Sequence, residues 1–107
     1  MADADIVLHP QTERDIGIGF QLQLAPGVSL TGTPSVEAGP IDITNVRINS
    51  ETFYDADSVH SIPEDEGVIF YVARGDAVLN REYEITAGCA TTDGGFLYAS
   101  KTIVFRK

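Results

Sequence analysis

The chain has 107 residues, enough for one domain, and its 7 Lys plus Arg against 16 Asp plus Glu give a formal net charge of −9. That acidity excludes a nucleic-acid binder or a ligand of anionic membranes, because seven dispersed cations assemble no basic face, and a hydrophobic content of 43% excludes a disordered acidic tail. The lone cysteine, Cys89, excludes an internal disulfide and a cysteine zinc site, and no apolar run approaches the roughly 18 residues of a membrane span.

From the N-terminus, MADADIVLHP has no basic region of the kind that opens a signal peptide, so the expectation is a protein made in a reducing compartment. Ile6–His9 reads as a short strand, followed by a polar gap at Gln11–Arg14. From Asp15 to Leu24, strict alternation puts Ile16, Ile18, Phe20, Leu22 and Leu24 on one face, which predicts a long half-buried strand. Ala25-Pro26-Gly27 is a type II turn signal and Gly39-Pro40 a second one, with a weaker strand between them over Val28–Glu37. In Ile41–Ile48 the apolar phase switches, from Ile41 and Ile43 to Val46 and Ile48, which predicts a bulge or bend near Thr44–Asn45.

A weaker strand is expected over Thr52–His60. Gly67–Ala73 (GVIFYVA) is β-branched or aromatic on both phases, as in a central strand covered on both sides or lying at an interface. Gly75-Asp76 and Leu79-Asn80 break the chain, after which Tyr83, Ile85, Ala87 and Cys89 alternate with polar or small residues. Asp93-Gly94-Gly95 predicts a tight hairpin into a last strand over Phe96–Arg106, whose inner phase carries Leu97, Ala99, Lys101, Ile103 and Phe105. No segment of ten residues shows helical spacing. The expectation is an all-β fold, a single sandwich of about seven or eight antiparallel strands filling residues 1–107 as one domain.

The stretch from Leu79 to Cys89 resembles the corner and penultimate strand of immunoglobulin-like and fibronectin type III domains, with Tyr83 in the place of their corner tyrosine. In that position the ring fills core while the hydroxyl satisfies a carbonyl in the preceding turn. The disulfide and buried tryptophan of antibody domains are missing, so the resemblance implies a cysteine-bridge-free Ig-like sandwich. Over Glu64–Lys107 the order of elements is more particular. A β-rich strand (Val68–Ala73), a glycine-containing corner (Arg74–Asn80), Y-x-I-T (Tyr83–Thr86), T-T-D-G-G (Thr91–Gly95) and a last strand ending in Arg106-Lys107 resemble small Ig-like structural proteins of tailed bacteriophages. The resemblance implies a virion protein assembled in host cytoplasm, a decoration or cement protein bound to the major capsid protein or to other virion proteins. Alternatively it implies a neck, tail or fibre component. A non-catalytic Ig-like ligand-binding module of bacterial origin is the rival from a different class.

No residue pattern points to catalysis, and no cofactor is expected. His9 precedes a proline at a strand end, and Asp57, Ser58 and His60 are near neighbours in one loop that cannot converge as a triad around an oxyanion hole. Asp55/Asp57 and Glu64-Asp65-Glu66 offer oxygen ligands for a cation but lack the spacing of a calcium loop, and solvated loop charge is the simpler reading. Cys89, on an apolar phase, reads as a buried inert thiol. Two segments read as interaction surface. Residues 1–10, with Ile6, Val7 and Leu8, are either the first sandwich strand or an arm that adds to a neighbour's sheet edge. Val68–Val72, through Phe70 and Tyr71, with Phe96 and Tyr98 extending the same patch, would join identical copies into a homo-oligomer.

Overall fold

The computed structural model describes residues 4–54 and 61–107. Among them lie nine strands and no helix: β1 (Ile6–Leu8), β2 (Arg14–Gly19), β3 (Leu30–Glu37), β4 (Asp42–Ile48), β5 (Phe53–Tyr54), β6 (Ser61–Ile62), β7 (Gly67–Ala73), β8 (Glu82–Thr91) and β9 (Phe96–Phe105). One sheet has the order β1-β9-β8-β3, the other β2-β7-β4, and β5 and β6 form a separate two-stranded hairpin. The β2-β7-β4 and β9-β8-β3 orders correspond to the B-E-D and G-F-C strands of the Ig constant-type sandwich. All pairings are antiparallel except β1 with β9, which is parallel. The expected all-β sandwich is therefore present, with one departure from all-antiparallel pairing.

The alternation read from the sequence builds the core. Ile16, Ile18 and Phe20 face Val68, Phe70 and Val72 of their own sheet and Ile85, Ala87, Cys89, Ile103 and Phe105 of the other. Strand β7 occupies the full predicted span and is the centre of its sheet. In β4, Thr44 pairs with Tyr71 and Arg47 with Ile69, so Asn45 and Val46 together oppose Phe70. Asn45 takes a left-handed φ of 54° there, and this bulge keeps Ile43, Val46 and Ile48 all against the core.

Two expectations are corrected. Strand β2 ends at Gly19 rather than Leu24, because the Phe20 carbonyl accepts the amides of Gln23 and Leu24 in a single tight turn. Leu24 still reaches the core, but Leu22 is 99% exposed. At Gly39-Pro40 the glycine, with φ 57°, occupies the first central place of the Ala38–Ile41 turn, the pattern of a type II′ rather than a type II turn. Ala25-Pro26-Gly27-Val28 is the predicted type II turn, with Gly27 at φ 80° and the Val28 amide on the Ala25 carbonyl. Of the strand expected over Thr52–His60, Phe53 and Tyr54 form β5; Asp55, Asp57, Ser58 and His60 lie outside the described residues.

A candidate docking face

The two sheets present very different outer surfaces. On the β2-β7-β4 side, Gly17 and Gly67 have no side chains, and the β5–β6 hairpin sits in the space they leave. A Cβ on Gly17 would lie 2.7 Å from Ile69 Cδ1, 2.9 Å from Ile62 Cδ1 and 3.1 Å from Phe53 Cδ1, and a Cβ on Gly67 would collide with Ile62. Ile62 and Ile69 are buried together as a small second core. Asn49, itself buried, fastens this cover. Its Nδ2 donates to the carbonyls of Glu51 (3.0 Å), Ile62 (3.0 Å) and Pro63 (2.8 Å), and its Oδ1 accepts the Gly67 amide at 3.0 Å. Beyond the hairpin, Arg47 reaches diagonally across β7 to Asp15, 3.0 Å away, and also donates to the Asn45 carbonyl at 2.8 Å. The bulge at Asn45 thus helps position the cation that straps this face.

The outer face of β1-β9-β8-β3 has no such cover over Phe96 and Tyr98, although Val104, on the same phase of β9, is buried. Its strand residues fall in rows set by the β8–β9 register: Ala90 beside Phe96, Gly88 beside Tyr98, Thr86 beside Ser100, Glu84 beside Thr102 and Glu82 beside Val104. From β3, Ser35 joins the Gly88 row and Glu37 the Thr86 row. Phe96 and Tyr98 are 50% and 66% exposed, with ring centroids 5.0 Å apart and planes tilted by 52°. Both rings lie against Gly88, where a Cβ would be 2.8 Å from Tyr98 Cε1 and 2.9 Å from Phe96 Cε1. The middle row is hydroxyl: Thr86 and Ser100 hydrogen-bond to each other at 2.9 Å. Glu37 ends this middle row and Glu84 and Glu82 belong to the far rows, and all three are exposed. Among the described residues none of the three is in an ion pair, the one such pair being Arg47–Asp15.

The predicted interaction residues are thus divided. Phe70 is fully buried against the opposite sheet, which corrects its assignment to an outer patch: in a β-strand its side chain must lie opposite that of Tyr71. Tyr71, 39% exposed, is on the outer side of the β2-β7-β4 sheet. Phe96 and Tyr98 are on the outer side of the other sheet, so they do not extend the Tyr71 patch. Ile6, Val7 and Leu8 form β1 in their own chain's sheet, paired with Ile103, Val104 and Phe105. Leu8 is buried and Ile6 packs on the core, leaving Val7 as the exposed member. Asp5 closes the start of this pairing, its carboxylate accepting the Thr102 amide at 2.9 Å while its own amide donates to Thr102 Oγ1 at 3.0 Å.

The sheet edges are poor templates for a further strand. Strand β3 is interrupted between Thr31 and Ser35, with Gly32 at φ 77° and Pro34 in the irregular part. Strand β4 carries the Asn45 bulge, β1 has only 3 residues, and the Gly17 carbonyl of β2 receives Lys101 Nζ at 3.4 Å. Lys101 stands on the inward phase of β9, so a charge guards the seam between the two sheets.

At the apolar end of the open face, the β8–β9 turn is held by its own side chains. Thr91 Oγ1 donates to the Asp93 carboxylate, the Gly95 amide reaches both Thr91 Oγ1 (3.1 Å) and Asp93 Oδ1 (3.2 Å), and Gly94 takes φ 90°. These donors hold the Asp93 carboxyl below its ordinary range, the Thr91 hydroxyl most of all. At the corner before β8, the Tyr83 hydroxyl accepts the Val78 amide at 2.8 Å in place of the expected bond to a carbonyl, and the Arg81 guanidinium lies 5.7 Å from the Tyr83 ring centre.

The remaining candidates carry no chemistry beyond structure. His9 Nδ1 accepts the Gln11 amide at a turn. Burial pushes the Cys89 thiol up, and its Sγ lies 3.4 Å from the Thr31 carbonyl, so it is a poor nucleophile. Glu64, Asp65 and Glu66 border a concavity of about 470 Å³ with Leu24–Ser29. Main-chain bonds from Asp65 to Leu30 and Asn49 fix that loop, and no group of three metal-ligating side chains is gathered among the described residues. Sequence reasoning missed Asn49 as the fastener of one face, and Gly88 with the charged outer β8 residues as features of the other. The signal was present in the β8–β9 alternation, but it needed the register to become a map. Comparison with protein-family models, curated proteins and solved structures returns no match.

Proposed function

We propose that this chain is a non-catalytic virion accessory protein that docks on a tailed-bacteriophage capsid as a decoration or cement protein, using the outer face of its β1-β9-β8-β3 sheet. The observation that carries the docking reading is the Phe96–Tyr98 pair, laid over bare Gly88 backbone and exposed at the open end of the sheet face. The resemblance of Glu64–Lys107 to small Ig-like phage structural proteins supports the address. The guarded edges favour docking by a face over exchange of strands. Repeated copies on a lattice would stabilise a particle by multivalency, since many modest contacts resist expansion together. The −9 charge keeps free subunits apart before they dock.

Quantitative mass spectrometry of purified particles tests this. A copy number comparable with that of the major capsid protein is the expected result. A far lower number would move the protein to the neck, tail or a fibre, and absence from particles would overturn the virion reading altogether.

A further inference from the structure

We infer that the outer face of the β1-β9-β8-β3 sheet takes a partner protein surface that presents an apolar anchor and, about 13 Å from it, lysine or arginine side chains. The inference rests on the reading that this face docks, and it specifies the chemistry of what it meets. The spacing follows from the register. Tyr98 and Glu84 lie two rows apart, Glu84 being opposite Thr102, and four strand residues span about 13 Å. The apolar end, Phe96 and Tyr98 over Gly88 and beside Ala90, gives an anchor a flat aromatic bed without a Cβ beneath it. The acidic side chains, Glu37 in the Thr86 row and Glu84 and Glu82 beyond it, have no paired cation among the described residues. Arg81 is turned to the Tyr83 ring, Lys101 to the Gly17 carbonyl between the sheets, and Arg106 stands past the end of β9. Between the two ends, Thr86 and Ser100 satisfy each other and ask nothing of a partner.

Charge decides between a foreign partner and a second copy. Two copies meeting through this face would bury both sets of Glu37, Glu82 and Glu84 with no cation paired to them among the described residues, and buried unpaired carboxylates are strongly disfavoured. A surface with cations facing the acidic rows meets the same residues with complementary potential.

The test titrates the intact, isotope-labelled protein with an extended peptide. The peptide bears leucine and phenylalanine at one end and two lysines four residues away; a control peptide has glutamates in place of the lysines. The expected result is amide shifts confined to β3, β8 and β9, with affinity about tenfold lower for the control peptide and for the Glu82→Gln/Glu84→Gln variant, and declining with salt. Tyr98→Ser is expected to lose a comparable factor, with thermal melting confirming that each variant is folded. Equal affinity for the two peptides, shifts on the Tyr71 side, no shift with either peptide, or self-association through this face would each overturn the inference. Particle loading separates the two readings. Equal incorporation of wild type and Glu82→Gln/Glu84→Gln would overturn the cationic partner while leaving the capsid role. Absence of wild type from particles would overturn the capsid role and leave the peptide result to decide this one.

Discussion

The two outer faces of the sandwich are built on the same device and end in opposite conditions. Each has glycine in the sheet with large apolar side chains laid over it. Over Gly17 and Gly67 those side chains come from the hairpin and from β7, and the chain buries them itself with Asn49 as the fastener. Over Gly88 they come from the neighbouring strand and remain in solvent. A glycine in a sheet costs backbone entropy and side-chain packing, so its presence marks a place where something must approach the backbone closely. On one face the approaching group is internal and the result is stability. On the other the approach is only half complete, and the open half is the candidate docking face.

The sharpest way to break this comparison is within β7 itself. Phe70→Ala is expected to cost about 4 kcal/mol by emptying a core position, whereas Tyr71→Ala should cost below about 1 kcal/mol. Urea denaturation of both variants checks this, and equal losses would overturn the inside–outside assignment of the strand. Next is the fastener: Asn49→Ala should cost about 3 kcal/mol, because the Gly67 amide and three carbonyls lose their partner in a desolvated site. The Gly67 amide should then exchange with solvent faster than the amides of β8. Asn49→Asp should not rescue it, since a carboxylate facing three carbonyls has no hydrogen to donate. Tyr83→Phe, which removes only the hydroxyl that accepts the Val78 amide, should cost about 1 kcal/mol in the same denaturation series.

The smallest effect concerns the turn that leads to the aromatic pair. Because Asp93 is held below its ordinary range when folded, its contribution is fully present above the unfolded carboxyl value of about 3.9 and is lost as pH falls through the lower folded value. Melting temperature followed from neutral to strongly acidic pH should show a shallower acid decline for Asp93→Asn than for wild type. Identical acid limbs would show that the turn's hydrogen bonds do not discriminate the charged carboxyl.

Much of the fold was legible because alternation is a local record of which side chains face inward. It located β7 over its full length and placed the β4 bulge at Thr44–Asn45, because an apolar phase that switches within one strand requires an extra residue there. It overran β2 because Gln21-Leu22-Gln23-Leu24 continues the alternation in composition while the backbone turns at Phe20, a hydrogen-bonding event that no pattern of polarity encodes. The docking face was half legible. Exposed aromatics at Tyr71, Phe96 and Tyr98 could be singled out, but parity says which side of its own sheet a residue takes and nothing about which sheet it joins. Assigning Phe70 to the surface was a different error, since a strand apolar on both phases gives no indication of which phase is core. Asn49 could not be recognised at all: its role depends on carbonyls at Glu51, Ile62 and Pro63 that meet only after the hairpin has folded back.

The parallel pairing of β1 with β9 has a mechanical consequence. Tension entering ahead of Ile6 and leaving beyond Phe105 pulls the two strands in opposite directions along their common axis. The rungs at Ile6–Ile103, Val7–Val104 and Leu8–Phe105, the Asp5–Thr102 bonds and the bond from the Arg106 amide to the Leu8 carbonyl are then loaded in shear and must yield together. An antiparallel pair pulled from one end would instead open rung by rung. With this geometry, stretching the chain between those points meets its resistance at the outset, before the sandwich core is disturbed, so its lifetime under load is set by one short ladder.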